Sequence, residues 1–574
     1  MDARSARPMS TTDGHADTED PDADRAADVP AGPTDDDAPP APPAPPSGLA
    51  AARLHLAEIG SRVAPLGQPP RLVLLGIVAL WFVTFSVLVV WRHDRYGSFD
   101  FDLGIWDQSA WLLAHNGGLN TVRGLHVLSH HFTPALYFYV PFYWVGAGPN
   151  FLNVTMVAAV CAGAVVLFDI GRHHLRDEWH ALVPATAFLV SYTAQWLLQE
   201  TFHPEVMAVP FLLLAYDAAI RGRWRLYAVA VVLAVLWKED IALAAGMLGV
   251  ILAFRGRRTI TGDEGPARTH TAGLITLAAC AAYFVVATQL VIPHFSEGGN
   301  FTEAFFGDLG SSSPEIVKSM LTRPDLVLEH FERSNARAYG WNLASSFGFV
   351  PLLSPLALLI GLPQATVNLL ANQSFFWPTT VHYATVPLVA MAVAAVEGVA
   401  RFRRLTARRF LLGAMAVGAF FTAVSWGVSP LSKDFRSGYW PLDVPARQAV
   451  LDRAVALPGP DDGVSAMHNL TPHLTHRREA YTFPNPWIAS NWGVAGENRP
   501  DPGGVDWIIV IPGALNDADR GTLATVLRDP DRLLEPGQQD APPPADGLAE
   551  VVDPSKWTVV MDDQGVFVVR RVRP

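Results

Sequence analysis

Five short stretches of the 574-residue chain concentrate side chains able to move protons, hold anions or ligate metal. They are Ser98-Phe-Asp-Phe-Asp-Leu-Gly-Ile-Trp-Asp-Gln108, His130-His-Phe-Thr-Pro134, Gln199-Glu-Thr-Phe-His-Pro-Glu205, Lys238-Glu-Asp240 and His382-Tyr383. Asp100, Asp102 and Asp107 supply carboxylates for general-base chemistry, and His131, His203 and His382 supply imidazoles. Glu200, Glu205, Glu239 and Asp240 add acceptors, and Lys238 adds a cation for an anionic group. Each has an ordinary reading beside the chemical one. The aspartates can be solvated loop acids or helix caps, the histidines hydrogen-bonded interface groups, and Glu200 and Glu205 water-facing span ends. Asp102 and Asp107 share a face only if a helix begins near Leu103, with Asp102 as its N-cap. Lys238-Glu-Asp240 resists the ordinary reading because it interrupts an apolar run, where each charge costs about 2.5–3.5 kcal/mol at a bilayer centre.

The elements that must position these residues follow from composition. Half of the residues are hydrophobic and 17% are charged, against about 25% in a typical soluble domain. Mean hydropathy is +0.21 despite a polar start. Residues 1–46 carry eleven acidic residues and three arginines, net −8 of the chain's −12. Such an Asp- and Pro-rich stretch lacks the apolar residues that offset chain entropy, so residues 1–70 are expected to be a disordered cytoplasmic tail. The nearly neutral remainder excludes the basic stripe of a nucleic-acid partner. Cys161 and Cys280 lie in apolar runs and form no disulfide framework. No phosphate-binding glycine loop or nucleotide fingerprint occurs, which argues against ATP-driven transport within the chain.

Apolar runs at 71–91, 151–170, 181–198, 206–220, 271–291, 345–361, 382–399 and 410–428 are candidate membrane spans. The clusters Arg172–Arg176, Arg221–Arg225, Arg255–Arg258 and Arg401–Arg404 belong on the cytoplasmic side. That parity makes Phe132–Val145, rich in Tyr and Trp, an external juxtamembrane helix rather than a span. It also requires residues 226–254 to enter and return as two short helices with Lys238-Glu-Asp240 at a recessed outer turn. A further short element is needed over Gln364–Trp377. The expected architecture is an all-α polytopic domain over 71–429 with about eleven membrane helices and external loops at 92–150 and 292–344. A small α/β extracytoplasmic domain follows over 430–574, with a helix at Ala446–Ala456, a strand at Val505–Ile511 and a hairpin at Trp557–Met561 and Val566–Val569. All five polar motifs then fall at the external membrane boundary. The sequons at Asn153, Asn300, Asn372 and Asn469 are common by chance.

Phe101-Asp-Leu-Gly-Ile-Trp-Asp-Gln-Ser-Ala-Trp111, His131-Phe-Thr-Pro134, Phe202-His-Pro204, Glu239-Asp240, His382-Tyr383, Val464–Arg477 and Tyr481–Pro484 together carry a resemblance over about residues 70–570. The chain resembles a bacterial family of polytopic membrane proteins known only as a domain of unknown function. That family is similar in layout to the GT-C glycosyltransferases, such as the protein mannosyltransferases and the lipid A aminoarabinose transferase. The resemblance implies a polyprenyl-phosphate sugar donor, an envelope glycan, lipid or protein acceptor, and a plasma-membrane location with the N-terminus cytoplasmic. It also implies an acidic base in the first external loop, with Asp102 first and Asp100 and Asp107 next. The Asp-Glu pair and the Lys-Pro-Pro-Leu motif of those transferases are absent, and His131-Phe-Thr-Pro134 stands in the corresponding place. Lys238, nearby histidines, Arg92 and Arg95 are candidates to hold the donor phosphate. A divalent metal at Asp100, Asp102, Asp107 and His131 is an available aid to phosphate departure. The rival readings are a transporter or flippase of a lipid-linked substrate and a non-catalytic envelope scaffold. Polar motifs on one face and no evident inverted repeat weigh against transport, and the recessed Lys238-Glu-Asp240 weighs against a scaffold.

Overall fold

The computed structural model describes residues 68–257, 264–296, 305–488 and 501–573. The acidic tail and the Asn300 sequon lie outside the described residues. Among the described residues, five helices are long and apolar enough to cross a membrane: Pro69–Asp94, Pro149–Leu175, Arg268–Phe295, His382–Ala400 and Leu405–Trp426. Glu178–Val190 and Tyr192–Gln199 make a sixth crossing if their 43° bend is one broken span. The bend falls at Ser191, whose hydroxyl caps the second segment by accepting from the Ala194 N–H. The protein is thus a multi-pass membrane protein. The expected eleven crossings include segments that are short or broken here.

Burial sorts the helices into layers. In the apolar stretch of His382–Ala400, 83% of residues are buried inside the protein, so it is the central helix. The corresponding share is 28% in Pro69–Asp94, Arg268–Phe295 and Leu405–Trp426, which leaves most of each face for lipid. Trp224–Val235 and Ile241–Arg257 form the expected pair of short helices with Lys238-Glu-Asp240 between them. Ile241–Arg257 packs on Arg268–Phe295 through Gly249 and Gly273, where a Cβ on Gly273 would sit 2.4 Å from the Ala253 nitrogen.

Two expected elements differ. The run 345–361 is not a span: the helix Ala336–Ser345 ends, and single turns at Val350–Leu353 and Pro355–Leu358 follow. Pro351 and Pro355 remove backbone donors, and Gly348 and Phe349 adopt left-handed conformations (φ 58° and 60°). Gly348 is pressed so closely on Leu405–Trp426 that a Cβ would lie 2.3 Å from the Ala414 carbonyl oxygen. Phe132–Val145 is likewise a 3-10 segment, Pro134–Tyr139, followed by one α-turn, Val140–Tyr143. Its Tyr137, Phe138, Phe142 and Trp144 face outward, as suits a bilayer interface.

The C-terminal region contains a small five-stranded sheet. The spatial order is Ala480–Thr482, Gly463–Ala466, Val505–Val510, Val566–Arg571, Trp557–Asp563. The first three strands are parallel and the last two join antiparallel through a Gln564-Gly565 turn with φ of 48° and 76°. Both faces are covered. Ile508 and Val510 pack with Leu523, Val526 and Leu527 of helix Asp517–Arg528, while Ile509 packs with Val450, Leu451 and Ala454 of helix Gln448–Val455. The turn after Gly463–Ala466 and the edge strand Ala480–Thr482 meet the segment after the first helix. The Asp100 N–H donates to the His468 carbonyl (2.9 Å), and the Ala480 N–H donates to Thr121 Oγ1 (2.9 Å).

Candidate active site

A cavity of about 910 Å³ opens where these segments converge. Asp100 and Asp102 reach it from a π-helical turn, Asp100–Gly104, that runs directly into helix Ile105–Ala114. A wide turn of this kind is often found at functional sites. Glu200, His203 and Glu205 come from the break after Tyr192–Gln199. There Thr201 adopts φ 90°, a strained conformation for a β-branched residue. The turn is held by the Phe202 N–H donating to buried Asn153 Oδ1 (2.9 Å), which also removes the Asn153 sequon from the surface. Lys238, Glu239 and Asp240 arrive on the short-helix turn, His131 on the stretch before Pro134, and His382 at the start of the central helix.

The polar groups interlock. His203 Nε2 lies 3.1 Å from Asp102 Oδ1. Lys238 Nζ bridges Glu205 and Asp240 at 3.2 Å each and sits 5.8 Å above the Tyr383 ring. Glu239 accepts from His131 Nδ1 (2.8 Å) and from the Phe132 N–H (2.9 Å). Glu200 lies 3.0 Å from His382 Nδ1 and accepts the His382 N–H. The His203 and His382 rings stack at 3.7 Å and 14°. Ligand atoms of Glu200, His203 and His382 all lie within 4.8 Å of one another, the set best arranged for a metal among the described residues.

Acids dominate this wall. Asp100, Asp102, Glu200, Glu205, Glu239 and Asp240 line the cavity with two permanent cations, Lys238 and Arg123, while buried Arg92 acts on Glu200 and Asp102 from outside the lining. Burial pushes the Asp100 carboxyl up to about 6, although the Thr482 hydroxyl donates to it (2.8 Å) and opposes the rise. Burial would also raise Asp102, but His203 outweighs it and holds that carboxyl below its ordinary value, ionised at neutral pH. The rest of the cavity is apolar, lined by Phe284, Phe305, Phe306, Ile316, Met320, Val367 and Phe375. One end suits a charged, hydroxylated head and the other a hydrocarbon chain.

Not every candidate lies here. Asp107 does not line the cavity, and the co-facial arrangement with Asp102 fails because the π-turn shifts the helical phase between them. Fully buried, Asp107 accepts from Tyr143 (2.6 Å) and Thr475 and lies 3.1 Å from His476 Nε2, so it ties the first connecting segment to the sheet region. The four-residue metal set of Asp100, Asp102, Asp107 and His131 is therefore not assembled. Asp102 caps no helix. Arg95 is spent on the Pro441 and Leu442 carbonyls (2.6 Å each). Arg92 does not line the cavity: it donates through Nε to the Gly97 carbonyl (2.8 Å), but its buried Nη1 makes no hydrogen bond among the described residues and its charge is felt by Glu200 and Asp102. Conversely, Arg123, Trp106 and His468 line the cavity. Arg123 is 2% exposed, with its guanidinium over Phe101 at 5.4 Å. A lone arginine in a polar loop carries no motif signal that would have marked it.

None of the curated proteins matches the chain. Among solved structures it is similar to the apo crystal structure of ArnT from Cupriavidus metallidurans, at 14% identity and a TM-score of 0.45, over 87% of this chain and 97% of that one. It is also similar to the cryo-EM structure of the arabinofuranosyltransferase AftD from mycobacteria, at 13% identity and a TM-score of 0.43, over 86% of this chain and 40% of that one. A family model described as predicted membrane protein (DUF2079) matches residues 92–568, and the chain belongs to that family.

Proposed function

We propose that the protein is an integral-membrane glycosyltransferase that moves a sugar from a polyprenyl-phosphate donor to an envelope glycan, lipid or protein acceptor. The observation that carries this reading is a cavity in which acids and histidines from five distant segments adjoin an apolar lobe. On this reading the cavity and the domain over 430–574 face the extracytoplasmic side of a bacterial plasma membrane and the N-terminal tail the cytoplasm, an orientation that the four basic clusters support. In the reaction, the acceptor hydroxyl gives its proton to Asp102 as its oxygen bonds to the anomeric carbon. The bond from that carbon to the phosphate oxygen breaks, and polyprenyl phosphate leaves with the electron pair. Lys238 and Arg123 are the cations that line the cavity and would face the phosphate, and His203 orients Asp102. His131, Glu239 and Asp240 hold the Lys238 turn in place, while Glu200, Glu205 and His382 complete the polar wall.

A flippase reading is less well supported. At the far end of the central helix, Glu397 accepts from Arg255, Tyr216 and Ser354 (2.7 Å for the last), which closes rather than opens a second polar entrance. The test is donor-dependent glycoside formation by the full chain in proteoliposomes. Asp102→Asn is expected to lower transfer by about 10²–10⁴-fold with unchanged folding. Wild-type transfer by that variant, or lipid movement without a new glycosidic bond, would overturn the reading.

A further inference from the structure

We infer that Glu200, His203 and His382 form a binding site for a divalent metal cation of the Zn²⁺ or Mn²⁺ class. Three observations converge on it. The ligand atoms of these residues lie within 4.8 Å of one another, from two chain segments that the fold brings together. Two imidazoles and a carboxylate form a donor set suited to such metals, which leave remaining positions open to other ligands. One nitrogen of His203 is held from behind: its Nδ1 lies 3.1 Å from the Thr201 carbonyl oxygen, which turns Nε2 toward the cavity, where it lies 3.1 Å from Asp102 Oδ1 and would exchange that contact for the ion. A backbone carbonyl holding the second ring nitrogen is the usual support of a metal-binding histidine. The strained Thr201 is what aims that carbonyl.

Charge points the same way. Six carboxylates line the cavity with two permanent cations, and buried Arg92 adds a third charge from behind the wall, so acids still outnumber permanent cations in a water-poor site, where unpaired charge is costly. A divalent cation corrects the imbalance at the point where His203 meets Asp102. Cofacial rings cannot both aim a lone pair at one ion, so occupancy turns one imidazole out of the 3.7 Å stack. Any role of the ion beside a donor phosphate rests on the transferase reading; its binding does not.

The experiment uses the full chain in lipid nanodiscs, stripped with chelator and titrated with ZnCl₂ or MnCl₂, with bound metal per chain measured by mass spectrometry. One equivalent of at least one metal is expected, with a rise in Tm. His203→Gln and His382→Gln each should weaken binding by about tenfold or more. His115→Gln, at an exposed histidine outside the cavity, should leave binding unchanged. His382→Cys guards against misfolding: it should retain metal and, loaded with Co²⁺, show a thiolate-to-metal absorption band. No binding of either metal, equal binding in both Gln variants, or a Co²⁺-loaded His382→Cys without the band would overturn the site. Because the readout is bound metal rather than product, a negative result removes the metal site alone, whereas absent glycoside formation removes the transferase reading alone.

Discussion

Asp100 and Asp102 are two positions apart and face different problems. Asp102 keeps its charge beside His203, whereas Asp100 is buried with one hydroxyl donor from Thr482. Its carboxyl rises from 3.8 to about 6 because burial penalises the charge. The folded protein therefore holds this proton more tightly than the unfolded chain. The stability so gained is complete below about pH 4 and is lost as pH rises through about 6. At neutral pH the ionised, buried group costs about 3 kcal/mol as an upper bound. Asp100→Asn, which can still accept from Thr482, should therefore unfold at a higher temperature than wild type at pH 7, with the difference closing by pH 4. Equal melting temperatures at both pH values would show that Asp100 is not held against its charge. The sequence marked both aspartates, because carboxylates beside phenylalanines at a span end stand out. It could not show that Asp107 turns away, since the phase across 100–107 depends on a π-turn with no composition signature. Arg123 was invisible for the opposite reason: only the approach of Phe101 and the sheet region turns a loop arginine into a buried one.

At the scale of elements, the two short helices around Lys238-Glu-Asp240 hold the site open. The second, Ile241–Arg257, is fixed by its close approach to Arg268–Phe295 at Gly249 and Gly273. Gly273→Ala places a methyl 2.4 Å from the Ala253 nitrogen and 2.5 Å from the Gly249 oxygen, so the helices must separate. A loss of about 1–3 kcal/mol is expected, read as a lower Tm. Gly413→Ala, on the lipid-facing helix Leu405–Trp426 with nothing within 4 Å, should not lower it. Equal effects would mean that the contact does not hold the pair together. The short-helix pair was legible because charge inside an apolar run between two basic clusters admits few arrangements. The break at 345–361 was harder to see, as its hydrophobicity reads as a span. Pro351 and Pro355 signal the interruption, but it is the tight contact of Gly348 with Ala414 that fixes the left-handed turn.

For the whole molecule, low charge first signified only a bilayer environment. The fold gathers much of the remaining acid and histidine content into one cavity, capped by the carboxyl edge of the C-terminal sheet through His468 and Thr482. The hairpin and the central strand Val505–Val510 were legible from apolar pattern and turn residues, whereas the short strands Gly463–Ala466 and Ala480–Thr482 were not. Its attachment was not, because it runs through single hydrogen bonds between residues more than 350 positions apart, such as Gln108 to the Arg477 carbonyl. Whether this cavity receives the lipid-linked donor is decided by a cryo-EM structure of the full chain in nanodiscs with a polyprenyl-phosphate sugar analogue. The phosphate is expected within hydrogen-bonding distance of Lys238 or Arg123, the sugar facing Asp102 and the lipid chain along Phe284, Ile316 and Val367. A lipid bound outside the cavity, or with its head at the Glu397 end of the central helix, would contradict it.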